Sequence, residues 1–165
     1  EPFIGHGQGD FVIQNVLLTG PLTYVWAYSS SYGMKASAYY NANNESEAWL
    51  VSPGIKLKKA KNPALIFDMT QKYAANFAEE CKVMVSTDYA GDVTTWKQLP
   101  YLKNEDGSLN VPDGSSWNFQ SSGEMPLTEY AEKKIWIGFK YTSSSSASAT
   151  WEIKNLLVHE IETDE

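Results

Sequence analysis

The chain has 165 residues, enough for a sizeable buried core, and we expect residues 1–165 to form a single domain. Its 42% hydrophobic and 13% aromatic content is typical of a packed globular protein and excludes a disordered one. The net charge of −7, without any basic run, argues against nucleic acid and anionic membrane as partners.

The sequence also lacks a membrane-spanning segment, a signal sequence and a set of cysteines. No apolar run approaches the ~20 residues that a membrane-spanning helix needs. The chain opens at Glu1-Pro2 without a signal sequence, so we expect that any export signal has already been removed. Cys81 is the single cysteine, which excludes a disulfide framework and a cysteine-based metal cluster.

The first half of the chain alternates apolar and polar residues in short runs, a pattern that predicts β-strands. In the first run, Phe11 and Ile13 share one face, and Gly20-Pro21 ends the segment. In a later run, Trp49 lies in an apolar stretch that stops at Ser52-Pro53. The predicted strands of this half cover residues 10–17, 24–28, 33–40 and 47–51.

The second half repeats this pattern around a polar region at residues 103–114. Its predicted strands cover residues 64–73, 81–87, 96–99, 117–120, 134–141 and 149–161. Residues 74–80 fit either a helical turn or the loop of a hairpin, and residues 127–131 fit a single helical turn. The serine-rich residues 143–148 are predicted to be a hairpin loop.

About ten strands at spacings of roughly 8–15 residues, without a long amphipathic helix, predict an all-β antiparallel sandwich. A jelly roll is the architecture of this class that we expect. The residues predicted to form its core are Phe11, Ile13, Trp49, Val51, Leu65, Phe67, Val83, Val85, Ile135, Ile137, Phe139, Trp151 and Ile153.

Eight motifs in a fixed order carry a resemblance to a known family. They are GDF at 9–11, YGMKAS at 32–37, EAWLVSP at 47–53, LIFD at 65–68, VMVSTDYAGD at 83–92, TWKQL at 95–99, IWIGFKY at 135–141 and WEIKN at 151–155. Together they resemble the choice-of-anchor J and cleaved-adhesin-like domains of Bacteroidetes surface lipoproteins. The resemblance covers nearly the whole chain.

This resemblance implies a galactose-binding-like jelly roll, similar to carbohydrate-binding modules and the MAM domain, placed outside the cell. It implies adhesion or glycan binding rather than catalysis, and a structural calcium ion in some members. Here Asp10 or Glu47, together with backbone carbonyls, would hold that ion and tie the first strand to the sandwich. The chain departs from the family at Lys154, where an Asp commonly precedes the Asn.

Enzymatic signals are few. The two histidines, His6 and His159, lie in a glycine-rich turn and in the last predicted strand, away from any serine nucleophile pattern or zinc-ligand spacing. Glycosidases need two carboxylates that face one cleft, and the sequence shows no paired-Glu strand motif. We therefore expect no catalytic residues, and a glycoside hydrolase-like enzyme is the second alternative.

Aromatic residues carry the binding hypothesis. Six Trp and ten Tyr exceed what the predicted core can use, and their flat rings suit the apolar faces of sugars. The alternative for Trp26 and Trp117 is that they fill the second face of the sandwich. The candidate ligand-binding residues are Trp26, Tyr73, Tyr89, Tyr101 and Trp117.

The sequence thus predicts a non-catalytic module that binds a glycan or a surface protein outside the cell. We expect a monomer at the outer-membrane surface or beyond it, anchored through a lipid on an N-terminal segment that this chain lacks. The first alternative is a structural or protein-interaction domain of a surface lipoprotein.

Overall fold

The computed structural model describes residues 1–92 and 95–161, which fold almost entirely into β-strands. In chain order these are β1 (Val12–Leu18), β2 (Trp26–Ser29), β3 (Gly33–Ser37), β4 (Ser46–Val51), β5 (Ile55–Lys56), β6 (Pro63–Lys72), β7 (Cys81–Ser86), β8 (Lys97–Leu99), β9 (Gln120–Ser121), β10 (Met125–Pro126), β11 (Lys134–Ser143) and β12 (Thr150–Glu160). A helical turn, α1 (Phe77–Glu80), precedes β7, and a 3-10 turn at Thr128–Tyr130 precedes β11. Within the described residues, no helix is long and apolar enough to span a bilayer.

The strands form two antiparallel sheets that pack face to face. The first sheet has the order β1-β4-β11-β7-β8, and β5 also pairs with β11. The second sheet has the order β10-β6-β12-β3-β2, and β9 also pairs with β6. This arrangement confirms the predicted all-β antiparallel sandwich of the jelly-roll class.

Apolar side chains from alternate positions of both sheets meet in the core. Phe139 of the first sheet contacts Phe67 and Trp151 of the second, with ring centroids 5.3 and 5.8 Å apart. Trp151 also contacts Trp26 at 5.5 Å. Full burial of one such Phe contributes roughly 1.5–3 kcal/mol. The predicted core residues other than Trp49 and Val51 belong to this core, although Ile13 is only partly buried.

Trp49 and Val51 are buried as predicted, but not in the core between the two sheets. Both side chains are buried, but neighbouring Ala48 and Leu50 face the core, and alternation sends Trp49 to the outer face. There its ring lies 5.1 Å from that of Trp96. A loop therefore covers the outer face of the first sheet, and strand residues on both of its faces are buried.

Two predicted connections also differ from the structure. The serine-rich loop joins β11 of the first sheet to β12 of the second, so it crosses between sheets and is not a hairpin loop. The segment before β7 makes the same kind of crossing and contains the helical turn α1, which excludes the hairpin alternative. The strand predicted at 117–120 is wrong except at its end, where Gln120–Ser121 pairs with β6.

Tyr141 makes a hydrogen-bonded tie between the two sheets inside the core. The hydroxyl group of Tyr141, on β11, accepts the backbone N–H of Ala38 at 3.1 Å. The same hydroxyl donates to the carbonyl oxygen of Ala149 at 2.7 Å. Ala38 follows β3 and Ala149 precedes β12, so one side chain of the first sheet satisfies two backbone groups next to the second.

Tyr141→Phe should lower the free energy of unfolding by about 1–3 kcal/mol, because it leaves a buried N–H and a buried carbonyl without their partner. Urea denaturation measures this difference. Tyr40→Phe removes the same hydroxyl from an exposed ring and is the matched control. Equal effects of the two substitutions would show that the tie adds nothing to stability.

Candidate ligand-binding site

Residues 110–121, which we call the strap, wrap around the edge of the second sheet beside β6. Gln71 Nε2 donates to the carbonyl oxygen of Pro112 at 2.8 Å. The next residue along the strand, Thr70, donates from Oγ1 to the carbonyl oxygen of Ser116 at 3.3 Å. Because successive strand residues face opposite sides of a sheet, these two bonds hold the strap on both sides of β6.

The strap carries an exposed aromatic ring, Trp117, which lies next to the exposed ring of Tyr73. Trp117 is 41% exposed and Tyr73, directly after β6, is 69% exposed. Their ring centroids lie 6.1 Å apart at 70°, and Lys72 Nζ lies 5.3 Å from the centroid of the Trp117 ring. The structure thus brings two of the five sequence candidates together as a rigid amphipathic surface.

Tyr73 borders a depression of about 760 Å³ on the outer face of the second sheet. Lys35 and Ser37 of β3 and Thr150 of β12 line it, and Tyr39 borders it with a ring that is 61% exposed. This volume lies within the range of small-molecule sites, where aromatic walls and a few polar groups are the usual lining. The aromatic pair therefore stands beside groups that can hydrogen-bond a ligand.

Glu152 lies on the same outer face, between Lys35 of β3 and Thr70 of β6 in the strand register. It is only 3% exposed, and among the described residues its Oε2 has no hydrogen-bond partner. Burial raises the pKa of the Glu152 carboxyl, and the Lys35 ammonium group opposes that rise. The hydroxyl of Ser148, which lines the depression, is likewise buried without a partner in the described chain.

A second depression, of about 550 Å³, continues from the first towards β2. Both are lined by Lys35, Ser37 and Tyr39. The remaining rings that line the second depression are Tyr24, Tyr28, Tyr32 and Tyr40. All of these tyrosines are exposed.

Two sequence candidates are wrong because their rings are buried. Trp26 packs on Trp151, and its Nε1 donates to the carbonyl oxygen of Ala48 at 3.2 Å. The Tyr101 hydroxyl donates to the carbonyl oxygen of Cys81 at 2.8 Å, and burial raises the pKa of Tyr101 well above its ordinary value. Neither ring has a free face for a ligand, so both are core residues.

Tyr89 lies on the opposite side of the sandwich, over the outer face of the first sheet. Its ring is 5.5 Å from that of Trp96 and 6.1 Å from that of Trp136. A ligand-binding role for Tyr89 stays a prediction. It cannot act together with Tyr73 and Trp117, because the two sheets separate them.

The two metal candidates lie far apart. Asp10 precedes the start of β1, where Val12 pairs with Val51, whereas Glu47 pairs with Leu17 near the other end of the strand. At about 3.3 Å per residue, this separation far exceeds the ~2.3–2.6 Å reach of a calcium ligand. Glu47 Oε2 already accepts a bond from Trp49 Nε1 at 3.0 Å. Asp10 and Glu47 therefore do not bind one ion together, and a calcium ion held by either of them with backbone carbonyls stays a prediction. The described residues contain no group of three His, Cys, Asp or Glu side chains that could hold a metal ion.

Asp68 is an acidic neighbour of Glu152 on the same face of the sheet. The two are diagonal in the register of β12 and β6, with Cα atoms roughly 7–8 Å apart. Asp68 Oδ2 accepts a bond from Asn155 Nδ2 at 2.9 Å, and Asp68 lines neither depression. Glu152 also lines neither depression, so the two carboxylates do not face each other across either of these depressions.

The fold is shared with domains of known structure, although the sequence matches no family model and no curated protein. The K3 cleaved adhesin domain of Lys-gingipain from Porphyromonas gingivalis matches with a TM-score of 0.56 at 14% identity, over 96% of this chain and 97% of that one. The K2 cleaved adhesin domain of Lys-gingipain gives 0.54 at 13% identity, over 94% and 95%. The chain has a cleaved-adhesin-like fold.

A weaker match is TmCBM61, a carbohydrate-binding module solved in complex with β-1,4-galactotriose. Its TM-score is 0.49 at 10% identity, over 97% of this chain and 94% of that one. At this level of similarity the match carries no argument about the site.

Sequence reasoning missed the floor of the first depression, by which we mean the polar side chains Lys35, Ser37, Ser148 and Thr150 that line it. One signal was present: in β12, Thr150 and Glu152 stand on either side of the core residue Trp151, so period-two alternation alone sends both side chains to the outer face. The pairing of Glu152 with Lys35 depends on the strand order, for which the sequence holds no local signal.

Glu152→Gln should stabilise the protein relative to wild type at neutral pH, because it removes a charge that burial disfavours. The folded-state pKa is raised, so the folded protein holds this proton more tightly than the unfolded chain does. Wild-type stability therefore falls relative to the variant as pH rises from about 4 through the raised pKa. Urea unfolding across this pH range measures the difference.

Glu45→Gln, at an exposed position, is the control for the loss of one negative charge. A wild type that gains stability relative to Glu152→Gln with rising pH would contradict the prediction. It would mean that attraction to Lys35 outweighs the desolvation of Glu152.

Proposed function

We propose that this protein is a non-catalytic glycan-binding module that acts outside the bacterial cell. The single observation that carries the proposal is the exposed ring pair of Tyr73 and Trp117 beside a hydrogen-bonding floor. Sugars present apolar C–H faces and many hydroxyl groups, and this surface offers a partner for each.

The rings supply the apolar part of the interaction. Tyr73 and Trp117 hold each other edge to face, and Lys72 lies against the Trp117 ring. These contacts limit the motion of the rings before a ligand arrives, which lowers the entropy lost on binding. Aromatic anchors of this kind commonly dominate binding energy at an interface.

The floor supplies the polar part. Lys35 can donate to a sugar oxygen, while Ser37 and Thr150 can both donate and accept. Ser148 Oγ belongs to this lining and is buried without a partner among the described residues. A ligand hydroxyl group would satisfy this atom, whose unpaired burial is costly.

The cellular setting of the proposal comes from the family resemblance. We infer a surface module of the choice-of-anchor J type, exported and tethered by lipid through a segment outside this chain. The cleaved-adhesin-like fold agrees with an adhesive role. A structural calcium ion stays a prediction, to be tested by thermal unfolding with calcium and with a chelator.

A second candidate function is binding to another surface protein through β1. This strand is at the edge of the first sheet, carries no charged residue, and exposes Val12, Val16 and Leu17. Uncharged, apolar edge strands can pair with a strand of a partner. Glycan arrays without hits would favour this alternative.

A glycan array, run with and without calcium, tests the main proposal. For a glycan that binds, Trp117→Ala and Tyr73→Ala should each weaken affinity by about tenfold, as expected when an aromatic anchor is truncated. Isothermal titration calorimetry measures the dissociation constants.

Tyr89→Ala is the matched control, since it removes a partly exposed ring from the other side of the sandwich. It should leave affinity unchanged. If Tyr89→Ala abolished binding while Trp117→Ala did not, the site would lie on the first sheet and the assignment to the second would be wrong.

A further inference from the structure

We infer that the ligand is an extended oligosaccharide that crosses both depressions, rather than a monosaccharide or a single terminal sugar. This inference rests on the proposed glycan binding and specifies the class of ligand. The geometry that carries it is the continuity of the two depressions across Lys35, Ser37 and Tyr39.

Aromatic rings stand at both ends of this continuous surface. At one end are Tyr73, directly after β6, and Trp117 on the strap. At the other end are Tyr24 and Tyr40, beside β2, with rings that are about three-fifths exposed. Exposed aromatic rings grouped in this way are costly to hydrate, so two such groups on one surface indicate two places where a sugar face can stack.

The distance between the ends exceeds the size of one sugar. The strands β2, β3, β12 and β6 are adjacent in the second sheet, and the row Ala27, Lys35, Glu152 and Thr70 crosses all four. Three strand spacings amount to ~14 Å. A sugar ring is about as wide as one spacing, so only a chain of several units reaches from the Trp117 end to the Tyr24 end.

Lys35, Ser37 and Tyr39, which line both depressions, form the junction between them, and this junction is rigid. Tyr39 pairs with Asn43 in a tight β-bridge, and Asn41 at its tip has a left-handed φ of 61°. Asn43 Nδ2 donates to the carbonyl oxygen of Ser146 at 3.1 Å, and Asn44 Nδ2 donates to that of Ala38 at 3.1 Å. These bonds fix the Tyr39 turn against the sandwich, so the path between the two ends is already formed in the free protein.

The junction also carries hydrogen-bonding groups suited to neutral sugar hydroxyls. Among the described residues, Lys35 is the one charged side chain that lines either depression; Glu152 lies opposite it in the register but lines neither. Most of the other polar groups of the lining, among them Ser37, Ser148 and Thr150, are neutral hydroxyl groups that both donate and accept, which matches sugar hydroxyl groups better than it matches a carboxylate or sulfate. We therefore assign a largely neutral glycan chain.

The test uses the whole protein and a panel of soluble β-glucan, xylan, galactan, chitin oligosaccharides and hyaluronan. Calorimetry then compares oligosaccharides of two to six units from whichever member binds. Affinity should rise by about tenfold or more between the shortest and longest ligands, because the longer chain adds contacts at the second end.

Variants at the two ends identify the source of that gain. Trp117→Ala and the double variant Tyr24→Ala, Tyr40→Ala should each reduce affinity for the six-unit ligand by about tenfold. A two-unit ligand occupies only one of the two ends. The variant at the other, empty end should therefore leave the affinity for the two-unit ligand unchanged. Tyr89→Ala, on the other sheet, is the control and should change neither value.

Equal affinity for two and six units would overturn the inference and leave glycan binding intact. The inference would also be overturned, with glycan binding intact, if the Tyr24→Ala, Tyr40→Ala variant bound the six-unit ligand with wild-type affinity. A strict preference for hyaluronan would overturn the assignment of a neutral chain. Absence of binding to every member of the panel would instead overturn the proposed function, and the inference with it.

Discussion

The burial of Trp151 between the two sheets is the constraint on which the rest of the structure depends. Its ring contacts Trp26, Phe77 and Phe139 and so joins both sheets and the helical turn α1. Because strand residues alternate, a Trp151 that faces inwards requires Glu152 to face outwards. The same alternation turns Thr150, on the other side of Trp151, outwards into the depression of the candidate site.

The floor is held in place from beneath by the core. Tyr141 bonds the backbone of Ala38 and Ala149, which adjoin the floor residues Ser37 and Thr150. Their side chains are thus positioned by a bond on the other side of the sheet. Unpaired buried groups at such a position lower stability, and natural proteins retain features of this kind where function requires them.

Much of the fold could be predicted from period-two alternation. Alternation could not predict which outer face of a sheet is covered by a loop and which is open to solvent. Alternation shows that Trp49 and Leu50 face opposite ways. It does not show which of them faces the core, because a loop buries the outer face of the first sheet as well. Trp26 and Trp117 are equally ambiguous in sequence. Their environments differ because the strap lifts Trp117 onto the surface through backbone contacts with side chains far away in the chain.

Trp117 also provides an intrinsic fluorescence probe of the candidate site. The other five tryptophans are buried or partly buried, whereas Trp117 is 41% exposed. Water-soluble quenchers therefore reach its indole more readily than the others, and the long-wavelength edge of the emission comes mainly from this ring. Ligand binding at the surface between Tyr73 and Trp117 can thus be followed in the unlabelled protein by tryptophan fluorescence.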